Sequence, residues 1–489
     1  MKYNSVISLN NNYPKWLAFA SIAIGLFTSV VDYSSLTLAL PSISNYFQTD
    51  LRNVQLIIIA YGVTIAALLI PMGKLSDLLG KKKIYITGLI LFVIGGFIAA
   101  LSSNLNQLIV AKTLQGIGSA MSQSTSMAIV ISTFPEKERG KILGIQLSIV
   151  GLGGVIGPVI AGILIGIWGW QSIFWLTTLL ATFAVFSAIK FINPTNISLN
   201  QENVKRFDWL GSILSIFILT SLIIFLTSIA NNNGISIITT IEILFFISCL
   251  IIFIIWETKY KYPLLDLNLF KINIFAIGIL SGYICFLGMS SLRFLLPFYL
   301  QIVLEYKPSI IGLIFVPSAL CMAIAGPIGG RLSDKLGYRY FTSGGLLLSS
   351  IGLFILSNLS LNSSLYLIIP AMIIQTIGIG MFQPGNNSSV LSVIKSQNYG
   401  VISGFLNLIR NTGNVSSVAI STIIVTSTMA IMGFEPNLSA LNPESGVEIL
   451  KSFTSGVNIT YKIFAIIVLI TGFGCFIKGN NKKNKINKE

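Results

Sequence analysis

The sequence predicts an all-α integral membrane protein of about fourteen transmembrane helices, two pseudo-symmetric six-helix bundles with two helices inserted between them. Three observations predict it. The 489 residues are 54% hydrophobic and only 10% charged, against about 25% charged for soluble domains. About fourteen apolar runs have spanning length, which is roughly 17–25 residues each. One charged segment also occurs twice. Gly73–Lys83 reads GKLSDLLGKKK and Gly330–Arg339 reads GRLSDKLGYR, both between apolar runs. At an offset of 257, Gly73, Leu75, Ser76, Asp77, Leu79 and Gly80 recur as Gly330, Leu332, Ser333, Asp334, Leu336 and Gly337. Internal self-similarity of this kind marks duplicated halves.

In chain order, the start 1–15 is polar and shows no cleavable signal pattern. The first bundle, 16–192, holds runs near 16–40, 54–73, 84–101, 107–132, 141–166 and 171–192. A linker, 193–273, holds two more near 209–229 and 235–256. The second bundle, 274–477, holds the last six near 274–301, 310–330, 340–358, 365–391, 401–428 and 461–477. The two charged turns follow the second and tenth runs, eight apart where six-plus-six would give six, so the linker runs are the insertion. A polar outer loop is expected at 429–460 and a solvated basic tail at 478–489.

Lys and Arg decide orientation. With the N-terminus inside, 24 of the 31 fall in inner segments and only Arg52, Lys307 and Lys451 in outer loops. Both termini are therefore expected in the cytoplasm, in a cell (inner or plasma) membrane. The net charge of +15 reflects this asymmetry and not a nucleic-acid surface. Four scattered cysteines and no histidine exclude a disulfide framework, a zinc site and Ser–His catalysis. No Walker-type phosphate loop is present, so direct ATP use is excluded. An enzyme is not expected.

Chemistry must then come from charges inside apolar runs, each costing about 2.5–3.5 kcal/mol on insertion scales. Asp32 has two readings: a proton acceptor or counter-charge for a cationic substrate facing a cavity, and a structural carboxylate paired with a buried base. Lys112 and Arg293, towards the outer ends of their runs, either face the cavity or snorkel to the interface. Arg410 lies deeper and reads as a cavity residue; Glu242, in an inserted run, reads as interfacial. The fifth run, with Gly151, Gly153, Gly154, Gly157, Pro158 and Gly162, suits close helix approach and bending. The polar runs at 119–126 and 382–389, with Gln115, Gln123, Gln375, Gln383, Asn386 and Asn387, are expected to line a water-accessible cavity between the repeats.

Over nearly its whole length the chain resembles the major facilitator superfamily, in particular its fourteen-helix drug:proton antiporters (multidrug and tetracycline exporters). Gly73, Leu75, Asp77, Gly80, Lys81 and Lys82 match the motif between helices two and three, with Leu78 at a usually basic position that Lys335 fills in the second copy. Gly153, Gly157, Pro158 and Gly162 match the helix-five antiporter motif, with Ala161 where glycine is usual. Asp32 with Ala39-Leu40-Pro41 resembles the helix-one motif, and Leu296–Gln301 the end of helix nine. Lys112 stands at the helix-four arginine associated with proton coupling; it keeps the charge without the planar fork.

The resemblance implies alternating access by two rocking bundles and export of amphipathic, including cationic, small molecules or drugs against proton entry. Asp32, with Lys112 or Arg410 beside it, would couple proton and substrate. Gly73, Asp77, Gly80, Lys81, Lys82, Gly330, Asp334, Gly337 and Arg339 would switch conformation, each aspartate favoured by the dipole of the helix that follows it. The expected partners are the bilayer, a small-molecule substrate and protons, with no nucleic acid, in a monomer. No cofactor is expected; the proton gradient is the energy source. Rival readings are export of a native metabolite (amino acid, sugar or siderophore), proton symport or uniport, and a non-transporting membrane protein.

Overall fold

A computed structural model describes residues 15–49, 51–135, 138–192, 207–231, 237–306, 308–395, 398–434 and 446–477. The described chain is helical, as lipid requires of a backbone that must satisfy its own hydrogen bonds. The first six helices are α1 Lys15–Phe47, α2 Leu51–Leu79, α3 Lys81–Ala100, α4 Leu105–Thr133, α5 Arg139–Trp168 and α6 Gln171–Phe191. The inserted pair is α7 Trp209–Asn231 and α8 Ile237–Lys259. After a 3-10 turn, Leu267–Lys271, come α9 Asn273–Phe298, a π turn at Tyr299–Val303, α10 Pro308–Leu336, α11 Tyr338–Leu356, α12 Leu365–Ser392, α13 Tyr399–Ile431 and α14 Val447–Ile477.

Twelve of these are long and apolar enough to cross a membrane by length and composition. The polar run at 119–126 keeps the 29-residue α4 off that count, yet it is packed between α2 and α3. The bundles repeat one packing pattern: α3 on α4 and α6, α1 on α5 and α6, then α11 on α12 and α14, α9 on α13 and α14. Glycine contacts carry the same repeat. A Cβ on Gly95 would strike the backbone at Ala111 and Gln115, and one on Gly352 would strike it at Ala371 and Gln375. Such close approach is how helices associate where lipid removes the hydrophobic drive between them.

Two expectations are corrected. Gly73–Lys83 is not a polar loop: α2 runs to Leu79 and α3 starts at Lys81. Gly80 alone breaks the helix, at φ +99°, and Gly337 does so in the second copy at the same angle. L side chains avoid that left-handed region. The described residues of the expected outer loop at 429–460 are also largely helical, since α13 extends to Ile431 and α14 begins at Val447. Glu448 lies in the first turn of α14, where the helix dipole favours an acid. Lys451 is therefore a helical residue. Pro436, Pro443, Glu435 and Glu444 lie outside the described residues, as do 1–14 and the tail 478–489.

The bundles meet through α2 with α13 and α5 with α10, joined by α4 with α13 and α5 with α12. The inserted α7 packs on both α2 and α13, one helix of each bundle. The end of the molecule carrying Gly80 and Gly337 is rich in Lys and Arg and is called the basic face below.

Candidate functional site

At the centre of the first bundle, Asp32 of α1 and Lys112 of α4 are both 0% exposed. Lys112 Nζ donates to Asp32 Oδ2 at 2.7 Å and to Gln115 Oε1 at 2.7 Å. Thr177 Oγ1 of α6 donates to Asp32 Oδ1 at 3.3 Å. The ammonium also lies 4.7 Å from the Tyr61 ring and 4.8 Å from the Phe174 ring, each within cation–π range. Lys112 therefore does not snorkel to an interface. A buried charge with its counter-ion, an amide oxygen and two ring faces is fully accommodated, and removing any partner leaves an exposed cost.

From this pair a connected line of groups crosses to the second bundle. The Tyr61 hydroxyl pairs with Ser119 Oγ at 3.1 Å. Gln123 Nε2 donates to Ser119 Oγ at 3.3 Å, and Arg410 Nη2 of α13 donates to Gln123 Oε1 at 3.0 Å. Asn407 Nδ2 donates to the Gln123 carbonyl at 3.1 Å. Lys112, Gln115, Ser119 and Gln123 recur at three- and four-residue spacing, one face of α4.

Arg410 is half-buried and Arg293 of α9 is exposed, the latter within electrostatic reach of Arg410. The two ion pairs among the described residues are Lys112–Asp32 and Lys81–Asp77, so neither arginine has a carboxylate. The two guanidinium groups lie near enough to feel each other's charge and form one positive region. In this conformation Asp32 is the carboxylate paired with a buried base, the second of its two readings.

The polar runs are corrected too. Ser122, Ser124, Thr125 and Ser126 donate to carbonyls of their own helix, which satisfies a hydroxyl without any cavity. Gln115, Gln375, Gln383 and Asn386 are buried, and Asn386 Nδ2 ties α12 to the Gly278 carbonyl of α9 at 2.8 Å. Of the six amides named from sequence, Gln123 and Asn387 are the two that are half-buried.

The helix-five glycines divide. Gly153 and Gly157 face α1, where Ser34 Oγ and Ser35 Oγ donate to their carbonyls at 3.3 and 3.0 Å. Gly162 is exposed, and position 158 lies within continuous helix.

The paired aspartates are placed differently from expectation. Each caps a helix of the opposite bundle and not the helix that follows it. Asp77 accepts from Gly400 N at 2.9 Å and Val401 N at 3.0 Å, in the first turn of α13. Asp334 accepts from Gly140 N and Lys141 N, both at 3.1 Å, in the first turn of α5. A carboxylate there meets unsatisfied N–H groups and the positive end of the helix dipole. Gly73 and Gly330 make this approach possible: a Cβ on Gly73 would strike the Gly400 carbonyl, and one on Gly330 the Gly140 carbonyl. Lys81 lies 4.0 Å from Asp77 and 5.5 Å from the Tyr399 ring. Lys82 Nζ donates to the Ile189 carbonyl at the end of α6, at 2.9 Å, and Arg339 lies over the Phe476 ring of α14. At the basic face the two bundles are joined by two crossed carboxylate–amide locks.

Thr177, Tyr61 and Phe174 carry no signal in the sequence that separates them from other membrane threonines and aromatics. Asp208 and Glu257, treated below, did carry one, since each acid adjoins a tryptophan at the end of an inserted helix.

Comparison with known proteins identifies the family and the fold. The Major Facilitator Superfamily profile matches residues 22–418. The riboflavin transporter RibZ of Clostridioides difficile (strain 630) is 34% identical over 400 residues, covering 81% of this chain and 85% of that one. The multidrug resistance protein Stp of Mycobacterium tuberculosis (strain CDC 1551 / Oshkosh) is 26% identical over 435 residues, covering 88% and 80%. The crystal structure of the human organic anion transporter MFSD10 (TETRAN) has the same fold, with a TM-score of 0.68 at 14% identity, covering 94% and 99%. The chain is a multi-pass membrane transporter, not an enzyme, and belongs to the Major Facilitator Superfamily.

Proposed function

We propose that the chain is a proton-coupled antiporter that exports amphipathic small molecules by alternating access, with the basic face in the cytoplasm of the plasma membrane. The observation that carries this reading is the line Lys112–Tyr61–Ser119–Gln123–Arg410, which starts at the buried Asp32–Lys112 pair and ends between the bundles. A proton on Asp32 cancels the charge that holds Lys112. The ammonium then relies on Gln115 and the two rings, and the Tyr61–Ser119–Gln123 contacts carry the change to Arg410. A substrate group that engages Arg410 or Arg293 works the same line in reverse. Gly73, Asp77, Gly80, Lys81, Lys82, Gly330, Asp334, Gly337 and Arg339 serve the crossed locks, whose release opens the cytoplasmic side.

The positive space between the bundles favours neutral, acceptor-rich or anionic amphipaths over lipophilic cations. Relatives named for multidrug and lincomycin resistance support drug export. A native metabolite is the second reading, favoured by the riboflavin transporter at 34% identity. Inverted membrane vesicles loaded with a pH-sensitive dye test both. They are challenged with riboflavin, tetracyclines, organic anions and lipophilic cations, for wild type beside Asp32→Asn. Substrate-triggered proton release that vanishes in the variant is expected. Substrate movement with no proton movement in the wild type refutes antiport.

A further inference from the structure

The inserted helices hold a second pair of buried acids. Asp208, 1% exposed, precedes α7, and Glu257, 3% exposed, lies near the end of α8. Asp208 Oδ2 and Glu257 Oε1 each lie 2.5 Å from the point where a Cβ on Gly211 would sit, so at most twice that distance separates them. Asp208 is the better hydrogen-bonded of the two. Its Oδ1 accepts from Gly211 N at 2.8 Å and from Trp256 Nε1 at 3.0 Å, as an N-cap does. Glu257 Oε2 accepts from Leu265 N at 3.3 Å, with the Leu264 amide also beside the carboxylate, and Oε1 has no partner among the described residues. Among the described residues, neither acid has a cation within ion-pair distance.

Two ionised carboxylates sharing a dry site repel, and a buried oxygen without a donor carries its full desolvation cost. One proton removes both problems, because a protonated Glu257 Oε1 becomes the donor that Asp208 Oδ2 accepts. We propose that Asp208 and Glu257 form a proton-binding site, with a single proton shared between Glu257 Oε1 and Asp208 Oδ2.

Its position gives the site a role apart from Asp32. The charged group that faces it is Lys74 of α2, which is also faced by Asp77 and by Asp266 at the 3-10 turn. On α13, the titratable Tyr399 faces Lys81 and Arg139. Lys74 Nζ now donates to the Pro263 carbonyl at 2.9 Å, two residues before the Leu265 amide that bonds Glu257. Release of the shared proton to water leaves two negative charges beside Lys74 and draws the ammonium towards them. Lys74 belongs to α2 three residues before Asp77, so proton occupancy of the inserted pair biases the lock on α13.

Infrared difference spectra of the full-length protein in lipid, recorded through a pH titration, test this. Wild type is expected to show a protonated-carboxyl stretch that Glu257→Gln abolishes and Asp208→Asn shifts by removing its acceptor. Glutamine mimics protonated Glu257 and asparagine keeps the α7 cap, so both variants are expected to fold; unchanged thermal midpoints check that. Asp32→Asn should leave this band in place, which separates the site from the coupling pair. A spectrum that Glu257→Gln leaves unchanged at every pH overturns the proposal. Loss in Glu257→Gln with no shift in Asp208→Asn overturns the sharing.

Discussion

A four-protein cycle at the Asp32–Lys112 pair gives the sharpest test: wild type, Asp32→Asn, Lys112→Met and the double variant. Methionine is the chosen partner because Met372, 1% exposed, stands at the equivalent point of the second bundle. Removing one member of a buried ion pair costs about 3–5 kcal/mol, since the other charge stays behind. Lys112→Met should meet that figure in full, because Asp32 keeps the 3.3 Å bond from Thr177 and the Tyr61 hydroxyl beside it but no cation among the described residues. Asp32→Asn should fall at the lower end. The stranded ammonium retains Gln115 at 2.7 Å and two ring faces, and a desolvated cation–π contact contributes about 2 kcal/mol. The double variant has no charge to strand, so it should lie within about 1–2 kcal/mol of wild type. Thermal unfolding of the four detergent-solubilised proteins, followed by tryptophan fluorescence, reads the stability half. Proton release in vesicles reads the other half: the stable double variant should still fail to move protons. Additive single effects would refute the energetic pairing, and proton release by the double variant would refute its role in coupling.

Other perturbations are read at the locks and in the central space. Asp77→Asn and Asp334→Asn each give up charge-assisted bonds worth about 1.5–3 kcal/mol. Each should widen the distance between spin labels on the basic ends of α2 and α13, or α10 and α5, by roughly a tenfold shift in the open:closed ratio or more; unchanged distributions would remove the lock assignment. Gly330→Val should prevent closure altogether, because its side chain meets the Gly140 backbone; label distances in the closed population check it. Gly80→Ala should cost about 1–2 kcal/mol through its left-handed φ of +99°, seen as a lower thermal midpoint. Arg410→Gln should weaken transport of anionic probes more than of neutral ones, and equal losses would deny that charge selects substrate.

Much of the architecture was legible because lipid imposes simple rules. Fourteen runs, the repeat around Asp77 and Asp334 and the inserted pair all followed from hydropathy and self-similarity. Helix ends were less legible. Hydropathy falls at Lys74 and Asp77, but the backbone of α2 continues past them to Leu79, because buried side-chain partners replace lipid there. The target of Asp77 could not be read either: the repeat names the residue, and only the packing of α2 on α13 names the amides it accepts from. Asp32 needed its partner to be understood, and Lys112 lies 80 residues away in sequence. The serines of α4 misled because a hydroxyl returned to its own helix has the same sequence signature as one facing water.

The crossed arrangement of the two locks has an architectural consequence. Asp77 belongs to one bundle and its acceptor amides to the other, while Asp334 and its amides reverse the assignment. Each bundle thus offers one carboxylate and receives one, the pattern of an isologous homodimer interface. The chain is a covalently tethered pseudo-dimer, in which a single duplicated half could have made the same contacts with a second copy of itself. Parity preserves the arrangement. An insertion of two helices returns the chain to its starting side, so both carboxylates stay on one face, whereas an odd number would invert the second copy and leave each lock without its mate.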